Sequence, residues 1–159
     1  MTGLVILLRL DVVSSTGGVS EKTYETTIQI DAPRESVWRV LTQEVPRDPA
    51  PFGILRLEGE IRPGARLMLW SEVAPDRAFA LTVTEFDAPG RMVWRGGMPL
   101  GLFTGTRSFD LSQVTGGTQF AMREVFSGPL SPLIAKSIPD LTPSFEKFSQ
   151  TLKEKAESQ

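Results

Sequence analysis

The stretch TIQIDAPRESVWRVL, residues 27–41, changes its hydrophobic period at its centre. Before Ala32 the apolar residues alternate, which is typical of a half-buried strand. After Pro33 they recur three and four residues apart, which is typical of an amphipathic helix. Proline suits the first helical position because no backbone N–H is needed there. The stretch therefore predicts a strand followed at once by a short helix.

The sequence after this unit predicts an antiparallel meander that ends in helix. Six strand-like segments are separated by short turns rich in glycine and proline: residues 53–60, 65–73, 78–87, 91–96, 104–113 and 118–127. A helical segment follows at 131–138, and a second one is expected to be capped by Thr142 with Pro143 at its first position. A block of strands with helices at its ends predicts an α+β fold, with helices packed on one face of an antiparallel sheet.

The composition limits which binding partners and catalytic sites the protein can have. A chain of 159 residues favours a single domain, and a net charge of −2 without a basic stripe argues against nucleic acid as a partner. The chain has no cysteine and no histidine. This excludes disulfides, cysteine nucleophiles, Ser-His-Asp triads and the usual zinc sites. We expect neither a metal nor a cofactor.

The N-terminal segment differs from the rest of the chain. GLVILLRLDVV at 3–13 is apolar but is interrupted by Arg9 and Asp11, and it is too short to span a bilayer. SSTGG at 14–18 has the composition of a flexible linker. We therefore expect residues 1–20 to be an extension outside the fold, with the native chain starting near Val19. Residues 21–159 should form one domain of a cytoplasmic protein without stable membrane insertion.

Strand alternation predicts which side chains of the last hairpin face the helix. If Gly116 and Gly117 form a two-residue turn, Val114 lies opposite Gln119, Asp110 opposite Arg123 and Phe109 opposite Glu124. The apolar face then carries these residues: Arg107, Phe109, Leu111, Phe120, Met122, Glu124 and Phe126. Arg107 and Glu124 become inward-facing diagonal neighbours. They form either an ion pair that only satisfies itself or a polar anchor for a ligand carboxylate, phenol or carbonyl, with Glu124 as an acid or base.

The preceding strands are less clearly divided into two faces. Alternation places Leu81, Val83 and Glu85 on one face with Met92 and Trp94, and Phe86 breaks the alternation, which suggests a bulge there. For 65–73 either Leu67 and Leu69 or Met68 and Trp70 can face inward. The apolar loop GGMPLGLFTG at 96–105, which includes Met98 and Phe103, is either packed on its own domain or a mobile rim.

This order of elements resembles the START/birch-pollen-allergen superfamily (SRPBCC), and within it the small bacterial polyketide cyclase/dehydrase and lipid-transport type. The resembling stretches are TIQIDAPRESVWRVLTQ, VTEFDAPGRMVWRGGMPLGLFTGTRSFDL and GGTQFAMREVFSGPLSPLIAKSI. The resemblance covers residues 22–157. It implies a helix-grip fold, in which a curved sheet of about seven strands wraps around a long C-terminal helix. Here prolines at 139 and 143 break that helix.

In this superfamily the space between sheet and helix holds apolar or amphipathic small molecules. The residues expected to line it are Val37, Leu81, Trp94, Met98, Phe103, Arg107, Phe109, Met122, Glu124, Phe126 and Phe145. Three functions remain open: a carrier or sensor of a hydrophobic molecule, a cyclase or dehydratase that uses Glu124 and Arg107, and a module that binds a protein partner. The sequence does not determine the ligand or the oligomeric state.

Overall fold

In the computed structural model, which describes residues 21–159, the chain forms one seven-stranded antiparallel sheet. The strands are β1 (Lys22–Ile30), β2 (Ile54–Glu58), β3 (Arg66–Ser71), β4 (Ala74–Asp87), β5 (Arg91–Gly97), β6 (Thr104–Val114) and β7 (Gly117–Ser127). Their order is β1-β7-β6-β5-β4-β3-β2, so the first strand pairs with the last and the others pair with their neighbours in sequence. The predicted extension at 1–20 lies outside the described residues.

The helices occupy the two positions that the sequence predicts. α1 (Arg34–Arg39) follows β1 and continues through a π-helical turn into α2 (Val45–Arg47). α3 (Ser131–Ile134) and α4 (Thr142–Glu157) follow the sheet, and the break between them confirms the proline-interrupted helix. Among residues 21–159, no helix combines the length and apolar composition that crossing a bilayer requires.

The predicted cap of α4 is wrong. Thr142 is the first residue of the helix, and Leu141 takes the N-cap position without a side-chain capping bond. Asp140 supplies the acceptor instead, because its Oδ1 receives the Thr142 N–H at 3.0 Å. Hydrogen bonds from the Thr142 backbone and side chain lower the pKa of Asp140.

α4 defines the inner face of the sheet. The Phe148 ring centroid lies 6.0 Å from that of Phe109 and 6.3 Å from that of Phe120. The sheet face that carries Phe109 and Phe120 is therefore the one that α4 covers. Its residues and the apolar side of α4 share one core cluster. This arrangement confirms the predicted α+β helix-grip architecture.

The β6–β7 hairpin has the predicted faces but a different register. Its turn is Thr115–Gly116, so Val114 pairs with Gly117, two residues from the predicted pairing. Gly117 is the first residue of β7, and a Cβ there would come within 2.1 Å of the Ile30 carbonyl oxygen of β1. Only glycine permits that close approach. A prediction from the β6–β7 hairpin alone does not detect it, because the contact is with β1. A shift of two residues leaves every side chain on its face, so the inner-face assignment is correct.

The individual cross-strand pairs of the hairpin are therefore wrong as predicted. Asp110 lies opposite Ala121 and not opposite Arg123. Asp110 instead accepts a hydrogen bond of 2.6 Å from Arg91 Nη1 on the neighbouring strand. Hydrogen bonds to Asp110 and to Glu85 raise the pKa of Arg91. This outer-face ion pair is well exposed, at 43% and 39% of the two side chains.

Strands β3 and β4 resolve the remaining ambiguities. A register shift between Val83 and Glu85 confirms a bulge in this strand, although it lies before Phe86. After the shift Phe86 packs at 5.2 Å on Trp38, and Glu85 is exposed, so its predicted inward orientation is wrong. In β3 the inward residues are the two leucines of that strand, which are 1% and 6% exposed.

Candidate ligand-binding site

One register of the sheet carries the polar groups of the inner face. Tyr24 pairs with Glu124, Glu124 pairs with Arg107, and Arg107 pairs with Trp94. Directly opposed residues have Cβ atoms about 4.5–5.5 Å apart, so these four side chains of β1, β7, β6 and β5 are adjacent. We call this set the polar rung. The observed register makes Arg107 and Glu124 direct partners, closer than the diagonal placement that the sequence predicts.

The centre of the polar rung is an ion pair that solvent only partly reaches. Arg107 Nε donates to Glu124 Oε2 at 2.5 Å, and the two side chains are 23% and 12% exposed. The guanidinium also lies over a ring of α4, with its Cζ 5.1 Å from the centroid of Phe145. The pair is thus held between the sheet and the C-terminal helix.

Several polar atoms of the rung have no partner among residues 21–159. The indole Nε1 of Trp94 is buried without an acceptor. Arg107 uses only Nε toward Glu124, which leaves its Nη atoms and the Oε1 of Glu124 without hydrogen bonds in the described part of the chain. An unpaired buried donor costs about 1–3 kcal/mol, and an indole N–H can only donate. The rung therefore contains donors and one acceptor that have no protein partner among residues 21–159.

The next inward-facing row of paired residues, on the side of the β5–β6 loop, has glycines at its centre, and we call this row the glycine register. Gly105 pairs with Phe126 and with Gly96, and Gly96 pairs with Leu81. Glu124 Oε1 lies 3.1 Å from the position that a Cβ of Gly105 would occupy, and Leu81 Cδ2 lies 2.8 Å from that of Gly96. Neighbouring side chains thus extend over bare backbone, and an apolar surface borders the polar rung.

The predicted lining residues fall into three groups. Five are at most 2% exposed and lie in the closed core: Val37, Trp94, Phe109, Met122 and Phe145. Leu81, Phe103 and Phe126 surround the glycine register, and Phe103 stacks on Phe126 at 5.6 Å with an interplanar angle of 11°. Met98 is 40% exposed in the loop after β5. The structure brings the first two groups together with Arg107 and Glu124, and leaves Met98 at the surface.

Two clefts on the surface of residues 21–159 lie away from the polar rung. One of about 350 Å³ runs between β1 and α4, and one of about 460 Å³ lies between the start of α1 and the β6–β7 turn. None of the predicted lining residues borders either cleft. A continuous cavity along the whole predicted set therefore stays a prediction, whereas the half-buried polar rung is observed.

The apolar loop between β5 and β6 is packed on its own domain at its base, which is the first of the two alternatives that the sequence left open, and its mobility stays a prediction. Its base is tied down, because the Met98 N–H donates to the Phe103 carbonyl at 2.8 Å and the Leu130 N–H donates to the Leu102 carbonyl at 2.9 Å. Its tip is free of such packing, and Leu100 is 96% exposed with a φ of 61°. The loop forms the rim of the sheet next to Gly96 and Gly105.

Sequence reasoning missed Tyr24 and the unpaired indole of Trp94. Alternation in β1 places Tyr24 on the inner face, but its neighbours there depend on the pairing of the first strand with the last. A lack of hydrogen bonds at one indole nitrogen has no sequence signal. In the part of the chain that the structure describes, no three His, Cys, Asp or Glu side chains cluster as metal ligands.

Comparison with known proteins places the chain in a family. The model of the polyketide cyclase / dehydrase and lipid transport family matches residues 21–157, so the chain belongs to that family. No curated protein matches the chain at a significant level.

Solved structures share the fold at low identity. A protein of Mesorhizobium loti, MLL2253, has a TM-score of 0.67 at 17% identity, covering 86% of this chain and 98% of that one. The di-domain ARO/CYC StfQ from the steffimycin biosynthetic pathway has a TM-score of 0.67 at 13% identity, covering 87% of this chain and 52% of that one. Norcoclaurine synthase from Thalictrum flavum has a TM-score of 0.61 at 12% identity, covering 89% and 96%.

Proposed function

We propose that the protein binds an amphipathic small molecule between the sheet and α4, as a carrier or sensor. The polar end of the molecule contacts the polar rung, and its apolar body lies against Leu81, Phe103 and Phe126. Sites of this kind pair an apolar surface with a few polar groups that fix orientation. The family description, which includes lipid transport, agrees with this role.

The observation that carries the proposal is the largely buried Arg107–Glu124 pair beside the Trp94 indole, whose N–H has no acceptor among residues 21–159. Stability alone does not account for such a pair, because well-packed apolar residues of similar volume are often as stabilising or more so. Binding accounts for it, since the free Nη atoms of Arg107 and the Trp94 indole can donate to ligand oxygens. The two glycines beside the rung have no side chains, and neighbouring apolar side chains extend over their backbone.

Native mass spectrometry of the purified protein, with organic extraction of the same sample, tests the proposal. We expect either a co-purifying molecule or saturable binding of the neutral probe N-phenyl-1-naphthylamine. Gly105→Val should reduce binding because the added side chain enters the space held by Glu124 and Phe126. Thr106→Val on the outer face is the matched control. A protein that carries no molecule and does not bind the probe, or equal binding by both variants, contradicts the proposal.

A second candidate function is catalysis of a cyclisation. Glu124 Oε1 has no hydrogen bond within residues 21–159 and lies beside a guanidinium with free donors. Such a carboxylate can remove a proton from the carbon next to a ligand carbonyl while Arg107 stabilises the enolate oxygen. The enolate carbon then attacks a second carbonyl of the same molecule, and the new alkoxide takes the proton back from Glu124.

Deuterium exchange separates this candidate from simple binding. Exchange at the methyl group of 2-acetylnaphthalene in D₂O, followed by proton NMR, reports enolisation directly. Catalysis predicts faster exchange with the wild-type protein than with Glu124→Gln or without protein. A ketone that is bound but exchanges at the rate seen without protein leaves only the carrier or sensor function.

A further inference from the structure

The polar rung has a charge balance that restricts its ligand. We infer that the site selects uncharged molecules whose head group both accepts and donates a hydrogen bond, such as a primary amide or a hydroxy ketone, and discriminates against carboxylates. The inference rests on the proposed function and adds the chemical class of the ligand.

The cation of the polar rung already has a counter-charge. Arg107 is paired with Glu124. Lys22 lies in the glycine register opposite Phe126, where its Nζ is 3.4 Å from the Ala135 carbonyl oxygen and 5.2 Å from the centroid of the Tyr24 ring. The other members of the rung, Tyr24 and Trp94, are uncharged. A ligand carboxylate that contacts Arg107 would therefore add a negative charge beside Glu124, and like charges in a partly buried site repel.

The unpaired atoms complement a neutral head group. Arg107 Nη and Trp94 Nε1 are free donors, and Glu124 Oε1 is a free acceptor among residues 21–159. A carbonyl oxygen satisfies the donors, and an N–H or O–H on the same head group satisfies Oε1. An ionised carboxylate has no proton to donate, so it leaves Oε1 unsatisfied. A site that is built around a specific hydrogen bond rejects ligand analogues that cannot form it, because the buried polar groups of the site then remain unpaired.

Two isosteric probes test the selectivity. 2-Naphthamide and 2-naphthoate share shape and apolar body, and differ in charge and in the ability to donate. We expect the wild-type protein to bind the amide at least tenfold more tightly by isothermal titration calorimetry at neutral pH. Glu124→Gln leaves the Arg107 charge uncompensated and adds a donor, so it should reverse the order and favour 2-naphthoate.

Two further variants control for charge and folding. Asp110→Asn removes a carboxylate from the outer-face pair with Arg91 and should leave the ratio of the two affinities unchanged. The double variant Arg107→Gln/Glu124→Gln is neutral again and should lose the preference for 2-naphthoate. If Glu124→Gln does not fold, the ratio measured with the wild-type protein decides by itself.

The outcomes separate this inference from the proposed function. If 2-naphthamide and 2-naphthoate bind with equal affinity, or 2-naphthoate binds more tightly to the wild-type protein, the selectivity is refuted and ligand binding stands. An unchanged ratio in Glu124→Gln also refutes it. If the protein carries no co-purifying molecule and does not bind 2-naphthamide, 2-naphthoate, naphthalene or N-phenyl-1-naphthylamine, the proposed function is refuted together with the inference.

Discussion

Replacing Arg107 and Glu124 separately and together tests how the polar rung contributes to stability. Breaking a buried ion pair by removing one partner costs about 3–5 kcal/mol, because the remaining charge is left uncompensated. Here the side chains are 23% and 12% exposed, so solvent screening lowers the cost. Arg107→Met leaves the less exposed Glu124 alone and should cost about 3 kcal/mol. Glu124→Leu should cost about 2 kcal/mol, since Arg107 keeps its contact with the Phe145 ring.

The double variant should be within about 1 kcal/mol of the wild-type protein, because no unpaired charge remains. The measurement is urea unfolding followed by tryptophan fluorescence and circular dichroism, with the free energy of unfolding compared across the four proteins. The matched control is the outer-face pair Arg91–Asp110, for which exposed ion pairs predict a coupling of about 0.2–1 kcal/mol. Additive losses in Arg107→Met and Glu124→Leu would refute the paired, half-buried geometry.

Three more predictions concern the framework around the site. Phe148→Ala should destabilise the protein by about 3–5 kcal/mol in the same assay, because Phe148 is 3% exposed and packs between α4 and the sheet. A loss of less than about 1 kcal/mol in the free energy of unfolding contradicts this packing. Gly117→Ala should prevent correct pairing of β1 with β7 because its Cβ would lie 2.1 Å from the Ile30 carbonyl oxygen, and a thermal midpoint equal to wild type contradicts that register. Burial raises the pKa of Glu157, but hydrogen bonds from Lys153 and the Asp31 backbone outweigh it, and the net pKa is below its usual 4.5. A carboxyl group whose pKa is lower in the folded state stabilises the fold at pH values above its unfolded-state pKa. Glu157→Gln should therefore lower the free energy of unfolding at pH 7, and the difference from wild type should shrink as the pH falls below about 4.5. A difference in the free energy of unfolding that does not depend on pH contradicts the assignment.

The sequence predicts the architecture well because periodicity is a local property. The change of period at Ala32–Pro33 locates the junction of β1 and α1, and alternation in β6 and β7 assigns their faces correctly. A face assignment survives a register error of two residues, and for that reason the inner face was predicted although the pairs were not. Strand bounds depend on the same local signals, and the observed strands lie within two residues of the predicted segments, except that β4 begins four residues earlier than predicted, at Ala74.

The composition of the site depends on contacts between distant parts of the chain. In the observed register Gly117 closely approaches Ile30 of β1, which is far away in sequence. Tyr24 joins Glu124 only because β1 pairs with β7, and Glu85 turns outward only because of the bulge after Val83. Local patterns therefore identify the residues that face inward, whereas the structure is needed to show which of them are adjacent.

The central claim is that a ligand's polar end lies at the polar rung, and the indole N–H signals test it most directly. The chain has three tryptophans, which serve as separate reporters in a proton–nitrogen NMR spectrum. Trp94 belongs to the rung, Trp38 packs on Phe86, and Trp70 lies under Arg56 with its ring centroid 5.0 Å from the guanidinium carbon. Titration with 2-naphthamide should shift the Trp94 indole signal in a saturable way and leave the Trp70 signal unchanged, with assignments from single Trp→Phe variants. Saturable binding that shifts Trp70 or Trp38 and leaves Trp94 unchanged would contradict the account.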